Sequence, residues 1–348
     1  MHKSILFRFD ASSDVGLGHA FRCMALIEHI ALSNNDNKLQ CIVIVNTLPE
    51  FIYQQLLTMS AIIYKLPEKI TIKQEIMQVS SIKDKYKAQS LVLDGYQFNV
   101  EYRCYLAQLA LIIIAFDDIN DLPHLHCNIV INALSFAENI GYQRSAPIAE
   151  YLLGMKYSIV RQEYLSVKSI PYIDREKLLI NFGGSDIGKL TLPVIKALAE
   201  SVLKVSAQNV VVVTGGGCED VSQINLLCHQ QGYQHIQQCS QMAVLLNQCK
   251  MAICAPGSIV YELAYSKVPS LFLTVAQNQE LSARSHQEAG WSYMFNGKNE
   301  SSVTNVMKKI ESLWTDNVQL NKMSLAASLL IDGKGVKRIV ERIKDKMT

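Results

Sequence analysis

No pair of cysteines in this chain stands at C-x-x-C spacing, and none is grouped with histidines at zinc-site spacing, although there are nine cysteines and eight histidines. That argues against a structural zinc module and a dithiol redox motif. Scattered thiols fit reduced, mostly buried side chains, so the cytoplasm is the expected location. There is no block of like charge: 33 Lys and Arg face 31 Asp and Glu, for a net charge of +2. No nucleic-acid or other polyanion partner is therefore expected. The longest apolar run, near Leu109 to Phe116, falls far short of the roughly 18 residues that a membrane span needs, so no membrane insertion is expected. Arg8 and Asp10 interrupt the first apolar stretch, which therefore does not read as a signal peptide. Low-complexity segments are missing too.

What is present is an alternation. Short apolar, β-rich runs recur between helical patterns: Ser4–Phe9, Gln40–Val45, Ser90–Leu93, Leu111–Phe116 and Asn128–Ile131, then Leu178–Phe182, Asn209–Thr214, Met251–Cys254 and Pro269–Leu273. Continuous apolar strands between helices predict parallel sheets covered on both faces. A chain of 348 residues exceeds what one core usually spans, roughly 250 to 300 residues. The polar stretch Ser166 to Glu176, with Pro171, reads as a linker. The expectation is an α/β protein of two Rossmann-like domains, 1–170 and 171–348, whose parallel sheets face an interdomain cleft, with a helical tail from Ser302.

The most informative stretch follows the first run: Gly16-Leu17-Gly18-His19 between a strand and the helical pattern Phe21 to Leu32. A glycine turn from strand to helix places backbone amides where open α/β sheets bind anions. It is not a P-loop, because no Gly-Lys-Ser/Thr ends it, and it lacks the third glycine of a dinucleotide fingerprint. A histidine at such a turn is a candidate proton acceptor. Phe182-Gly183-Gly184-Ser185-Asp186 is either a phosphate-binding turn or an ordinary βα turn needing positive φ. Gly257 and Ser258 follow another strand at a helix N-terminus and suit a diphosphate. Glu262 lies one turn on, where a carboxylate can accept ribose hydroxyls; the plainer alternative is a capping serine and a surface glutamate. Gln277-Asn278-Gln279 offers amides for sugar hydroxyl or acetamido groups, or is a solvated loop. Asp94-Gly95-Tyr96 and Phe116-Asp117-Asp118 end two strands. Their carboxylates either orient His19 or a water and contact sugar, or cap the next helix. No cluster suits a metal, and neither metal nor cofactor is expected.

These segments together resemble the nucleotide-sugar hydrolases of pseudaminic acid biosynthesis, which convert UDP-2,4-diacetamido-2,4,6-trideoxy-β-L-altropyranose and water to free sugar and UDP. The resemblance runs through R-x-D-x-S-x-x-x-G-x-G-H-x-x-R-C at Arg8 to Cys23, Asp94 to Tyr96, Phe116-Asp117-Asp118, Leu153 to Tyr157, Arg161-Gln162-Glu163, Phe182 to Asp186, Gly257-Ser258 with Glu262, and Asn278-Gln279. It covers about 280 residues in order. It implies a GT-B glycosyltransferase-like fold, a catalytic His19 with Tyr96 beside it, and hydrolysis at the anomeric carbon with inversion and without metal. Asp10, Gly16, Gly18, Arg22, Asp94, Tyr96, Asp117, Asn278 and Gln279 would lie on the sugar side. Gly183, Gly184, Gly257, Ser258 and Glu262 would hold UDP. The expected partners are the UDP-sugar substrate and, loosely, enzymes of the same pathway, which serves flagellin or surface-polysaccharide glycosylation. The chain departs from the family at Lys189, where asparagine is frequent, and at Ile259, where relatives carry a second hydroxyl. A GT-B glycosyltransferase with a sugar or lipid acceptor is the alternative, and a non-enzymatic nucleotide-sugar sensor a third.

Overall fold

The computed structural model describes residues 3–12, 15–33, 39–203, 205–299 and 301–347; the side chains of Gln277 and Asn278 lie outside the description. The chain forms two compact units, Met1–Gln162 with Gly333–Thr348, and Glu163–Asp332.

The first unit is a seven-stranded parallel sheet. Its strands are β1 Ser4–Arg8, β2 Gln40–Val45, β3 Ile62–Lys65, β4 Ser90–Leu93, β5 Ile112–Phe116, β6 Ile129–Asn132 and β7 Glu150–Leu153. Their order is β3-β2-β1-β4-β5-β6-β7, with every pairing parallel. All five residues of β1 are buried. Ile5 and Phe7 join the core on one face with Val43 and Ile27, while Leu6 joins the opposite core with Ile44 and Val79. Two buried faces are why this strand reads as a continuous apolar run rather than an alternation.

The second unit is a six-stranded parallel sheet of β8 Lys177–Asn181, β9 Val210–Thr214, β10 Gln234–Gln237, β11 Cys249–Cys254, β12 Ser270–Thr274 and β13 Ser292–Asn296. The order is β10-β9-β8-β11-β12-β13. Both orders reverse once, between β1 and β4 and between β8 and β11. In open α/β sheets, ligands bind outside the carboxyl ends of the strands at such a reversal.

The units do not divide at residue 170. The chain passes from one to the other between Gln162 and Glu163 and returns at Gly333. The last helix, Gly335–Lys346, closes the first unit. Val336, Ile339, Val340 and Ile343 form one apolar stripe, at i, i+3, i+4 and i+7, that enters the first unit's core beside Ile27 and Ile30. Gly335 is needed for this approach, since a Cβ there would lie 2.1 Å from the Ser158 carbonyl oxygen. Arg342 pairs with Glu150 of β7. An amphipathic stripe shows that a helix packs, not on which unit, and hence the difference from the 171–348 expectation. No helix among the described residues is long and apolar enough to cross a membrane.

Candidate active site

At the first unit's reversal, the turn after β1 folds back on itself. The Gly16 amide donates to the Ser12 carbonyl at 2.9 Å, and Gly16 adopts φ of +83°, which a side chain would resist. The helix Gly18–Leu32 starts there, with His19 as its second residue. Asp94 directly follows β4 and is fully buried. The His19 ring nitrogen Nδ1 lies 2.7 Å from Asp94 Oδ1. Arg22, one helical turn past His19, forks two ways. It donates from Nε and Nη2 to Asp94 at 2.8 and 2.6 Å, and from Nη1 and Nη2 to Asp118 at 2.8 and 3.2 Å. Its guanidinium lies 4.6 Å from the centre of the Phe116 ring. The Tyr96 hydroxyl donates to Asp118 at 2.9 Å, and its ring meets His19 edge-on with centroids 5.0 Å apart. His19, Arg22, Asp94, Tyr96 and Asp118 line a cavity of about 20 Å³, roughly the size of one water molecule.

The charges define the state of the buried carboxylate. Burial alone would raise the Asp94 carboxyl, but Arg22 and then His19 outweigh it and bring it down to about 2. Arg22 is likewise held above its ordinary range, because Asp118 and Asp94 outweigh its burial. An ionised Asp94 is an acceptor only, so Nδ1 must carry the hydrogen between them. The second ring nitrogen, Nε2, is hydrogen-bonded by no described residue. An Arg22 nitrogen also lies 3.4 Å from Nδ1, but a nitrogen already donating to Asp94 cannot accept from it. The result is a histidine oriented by a buried carboxylate, with its second ring nitrogen left without a described partner, an arrangement that suits general-base work.

Not every residue taken for the sugar side joins this group. Asp10 spends its carboxylate on the chain itself. It pairs with Arg8 at 2.8 Å and accepts from the Asn46 and Thr47 amides at 2.6 and 3.2 Å and from Gln97 at 3.0 Å. It therefore ties the loops after β1, β2 and β4 together. Asp117 lines the same cavity as His19, but its carboxylate is engaged within the chain: it accepts from the Tyr142 hydroxyl at 2.6 Å and the Asn120 amide at 2.7 Å, and burial pushes its carboxyl up. Asp118, not Asp117, is the carboxylate bonded to Arg22 and Tyr96. The adjacent Asp-Asp pair was the sequence signal; which of the two turns toward His19 depends on the chain direction after β5.

In the second unit, Gly183 follows β8 with φ of +86°. Gly184 lies against the turn after β9: a Cβ on Gly215 would stand 2.4 Å from Gly184 Cα, and the Gly217 amide donates to the Gly184 carbonyl at 3.0 Å. These glycines lock two turns together. Asp186 caps the helix Thr191–Glu200 through the Leu190 and Thr191 amides, both at 3.0 Å. Lys189 forms a surface pair with Glu219, and Ile259 is half-buried. Gly257 and Ser258 are exposed ahead of the helix Ile259–Tyr265, and the Ser258 hydroxyl does not cap that helix. Glu262 is buried and accepts from the Tyr164 hydroxyl at 2.9 Å, a partner that lies 98 residues away and that pattern reading missed. Gln279 accepts from the Val275 amide at 2.9 Å. The Asn278 side chain lies outside the described residues.

Gly18 and Gly257 stand apart. Every other glycine with described surroundings has a left-handed backbone or a crowded Cβ position, whereas these two have neither: among the described residues nothing lies within 4 Å of where their Cβ would be. Both precede or begin a helix at a reversal of strand order. Among the described residues, packing does not call for glycine at either position.

Among the described residues, no three His, Cys, Asp or Glu side chains are grouped to hold a metal ion. All nine cysteines are free thiols. A larger hollow of about 790 Å³ lies at the opposite end of the second sheet, by the amino ends of β8 and β11; Tyr172, Lys250, Trp314 and Val318 line it, with none of the residues above.

The two-unit architecture is that of the GT-B glycosyltransferases and related epimerases. The whole chain superposes on Acinetobacter baumannii MurG with a TM-score of 0.70 at 13% identity, covering 99% of this chain and 100% of that one. It also superposes on Staphylococcus aureus MnaA solved with UDP, with a TM-score of 0.67 at 15% identity, over 100% and 97%. In sequence, it is 24% identical over 284 residues to the UDP-2,4-diacetamido-2,4,6-trideoxy-beta-L-altropyranose hydrolase of Campylobacter jejuni, covering 80% of this chain and 94% of that protein. It is 25% identical over 244 residues to the spore coat polysaccharide biosynthesis protein SpsG of Bacillus subtilis, covering 67% and 69%. It is 24% identical over 279 residues to the uncharacterised protein MJ1062 of Methanocaldococcus jannaschii, covering 76% of this chain but only 54%, about half, of that protein. No family model matches the chain.

Proposed function

We propose that this chain is an enzyme acting on UDP-linked sugars, and that it hydrolyses a UDP-linked diacetamido-trideoxy sugar of the altropyranose type to free sugar and UDP. The observation that carries the reading is the His19–Asp94 pair at a reversal of strand order, with Nε2 left without a described partner. Water attacks the anomeric carbon and Nε2 takes its proton. The bond from that carbon to the β-phosphate oxygen breaks, and its electron pair leaves with UDP. A single displacement inverts the anomer. Because UDP departs as a stabilised anion, no carboxylic acid is needed to protonate the leaving group, unlike ordinary glycoside hydrolysis. Asp94 balances the imidazolium that forms. In the second unit, the amides at Gly257 and Ser258 meet the diphosphate, and amides aimed at developing charge are often a large catalytic contribution. Glu262 accepts the ribose hydroxyls. The named hydrolase and polysaccharide relatives support this reading over a sensor role.

The deciding experiment is turnover in ¹⁸O-labelled water with no other acceptor present, run with and without excess EDTA. Label is expected in the sugar and none in UDP, at the same rate with chelator. Label in UDP means attack at phosphorus. No turnover without an added sugar or lipid acceptor favours the transferase, which the same fold would serve. Loss of activity in EDTA, restored by Mg²⁺, removes the metal-free route.

The glycines give a separate check. Gly257→Ala should leave thermal stability unchanged or raise it by roughly 0.4 to 1 kcal/mol, since the site is open and alanine restricts the unfolded chain. UDP affinity measured by calorimetry should fall in the same variant. Unchanged affinity would take the diphosphate away from this turn.

A further inference from the structure

The Tyr164–Glu262 bond joins two features that the fold keeps far apart in sequence. Glu262 is only 9% exposed, on the helix Ile259–Tyr265, one turn past Ser258. Tyr164 is 3% exposed and belongs to the short helix Gln162–Ser166, where the chain leaves the first unit and enters the second. Its hydroxyl donates to Glu262 Oε2 at 2.9 Å. A glutamate has three rotatable bonds, and a carboxylate that must accept two ribose hydroxyls has to be held in one rotamer. A phenol hydroxyl fixed by its buried ring does this, and a bond to an ionised acceptor is stronger than a neutral one.

We propose that Tyr164 is a positioning residue for Glu262, and that nucleotide bound at Glu262 in turn pins the helix Gln162–Ser166 through this bond. The inference rests on the assignment of UDP to the second unit. It adds that the segment joining the two units responds to nucleotide occupancy. A tyrosine that served packing alone would lose only stability on removal of its hydroxyl.

Calorimetry with UDP on the wild type, Tyr164→Phe, Glu262→Gln and the double variant separates these cases. Phenylalanine keeps the ring, so the fold is retained. Tyr164→Phe is expected to weaken UDP roughly tenfold, in line with loss of a hydrogen bond to a charged group. The double variant should be no weaker than Glu262→Gln, because a residue acting through another is not additive with it. Hydrogen exchange should show UDP protecting the amides of 162–166 in the wild type and not in Tyr164→Phe. If the wild type fails to bind UDP, or Glu262→Gln binds it normally, the nucleotide assignment itself falls. If both hold but Tyr164→Phe binds UDP normally, adds fully to Glu262→Gln, or keeps the exchange protection, Tyr164 does not act as proposed.

Discussion

Replacing His19 by alanine is expected to lower turnover of the UDP-sugar by roughly 10² to 10⁴-fold, the span typical of a lost general base. The fold should survive. Removing the ring takes one partner from Asp94, but the Arg22 fork still supplies two donors at 2.8 and 2.6 Å, so the buried carboxylate stays paired. A lost buried partner is most costly when it leaves a charge alone, which is not the case here. His19→Asn gives a stricter comparison: its amide can still donate to Asp94, yet it has no basic nitrogen to present. Both variants should therefore lose turnover to a similar degree while UDP affinity, assigned to the second unit, stays near normal. Equal loss of UDP binding and turnover would mean that the substitution had disturbed the protein generally. Near-normal turnover in either variant, checked for purity and melting temperature, would take His19 out of the mechanism.

The sequence was most legible where both faces of a strand are buried. β1, β2, β4, β5 and β6 in the first sheet and β8, β9, β11 and β12 in the second all correspond to apolar runs. The strands that pattern reading passed over are β3, β7, β10 and β13, which are the two edges of each sheet. Apart from the buried Leu152, Leu153 and Ser292, the residues of Ile62–Lys65, Glu150–Leu153, Gln234–Gln237 and Ser292–Asn296 are half-buried or exposed, and several are polar. An edge strand is covered incompletely and carries polar residues that discourage pairing with another chain, so its pattern fades into loop. The candidate site divides in a similar way. His19, Arg22, Asp94 and Tyr96 follow strand ends at the reversal of strand order, and their positions could be read from turn chemistry. The choice of Asp118 over Asp117, the use of Asp10 as a brace, and the reach of Tyr164 to Glu262 depend on side-chain directions across separate loops. Periodicity carries no information about those.

Asp94→Asn is expected to cost nearly as much as loss of the histidine, roughly 10² to 10⁴-fold in turnover, with far less effect on KM. The comparison is with the buried aspartate of serine-protease triads, where the same neutral swap keeps the geometry and costs about 10⁴-fold. In this chain, Asp94 is held ionised by Arg22 and His19, down to about 2, so across any working pH it contributes a full negative charge beside the ring. In the proposed reaction that charge does two things. It fixes the hydrogen on Nδ1 and leaves the lone pair on Nε2, and it balances the imidazolium once Nε2 has taken the proton from water. An asparagine cannot do both. With its oxygen toward His19, its amide nitrogen faces the Arg22 Nε donor; with the amide reversed, its nitrogen faces Nδ1 and Arg22 Nη2, and the ring hydrogen is driven to Nε2, where the base is lost. In either orientation the imidazolium faces Arg22 with only Asp118 to offset it. Arg22 itself remains paired through Asp118 at 2.8 and 3.2 Å, so stability should fall far less than activity. Since the imidazolium exists only after proton transfer, the loss belongs in kcat and in kcat/KM equally. The double variant with His19→Ala should be no slower than His19→Ala alone, because Asp94 acts through the ring. A drop in Asp94→Asn that multiplies fully with that of His19→Ala would show that the carboxylate touches substrate directly, and near-normal turnover would leave the His19–Asp94 bond a structural contact only.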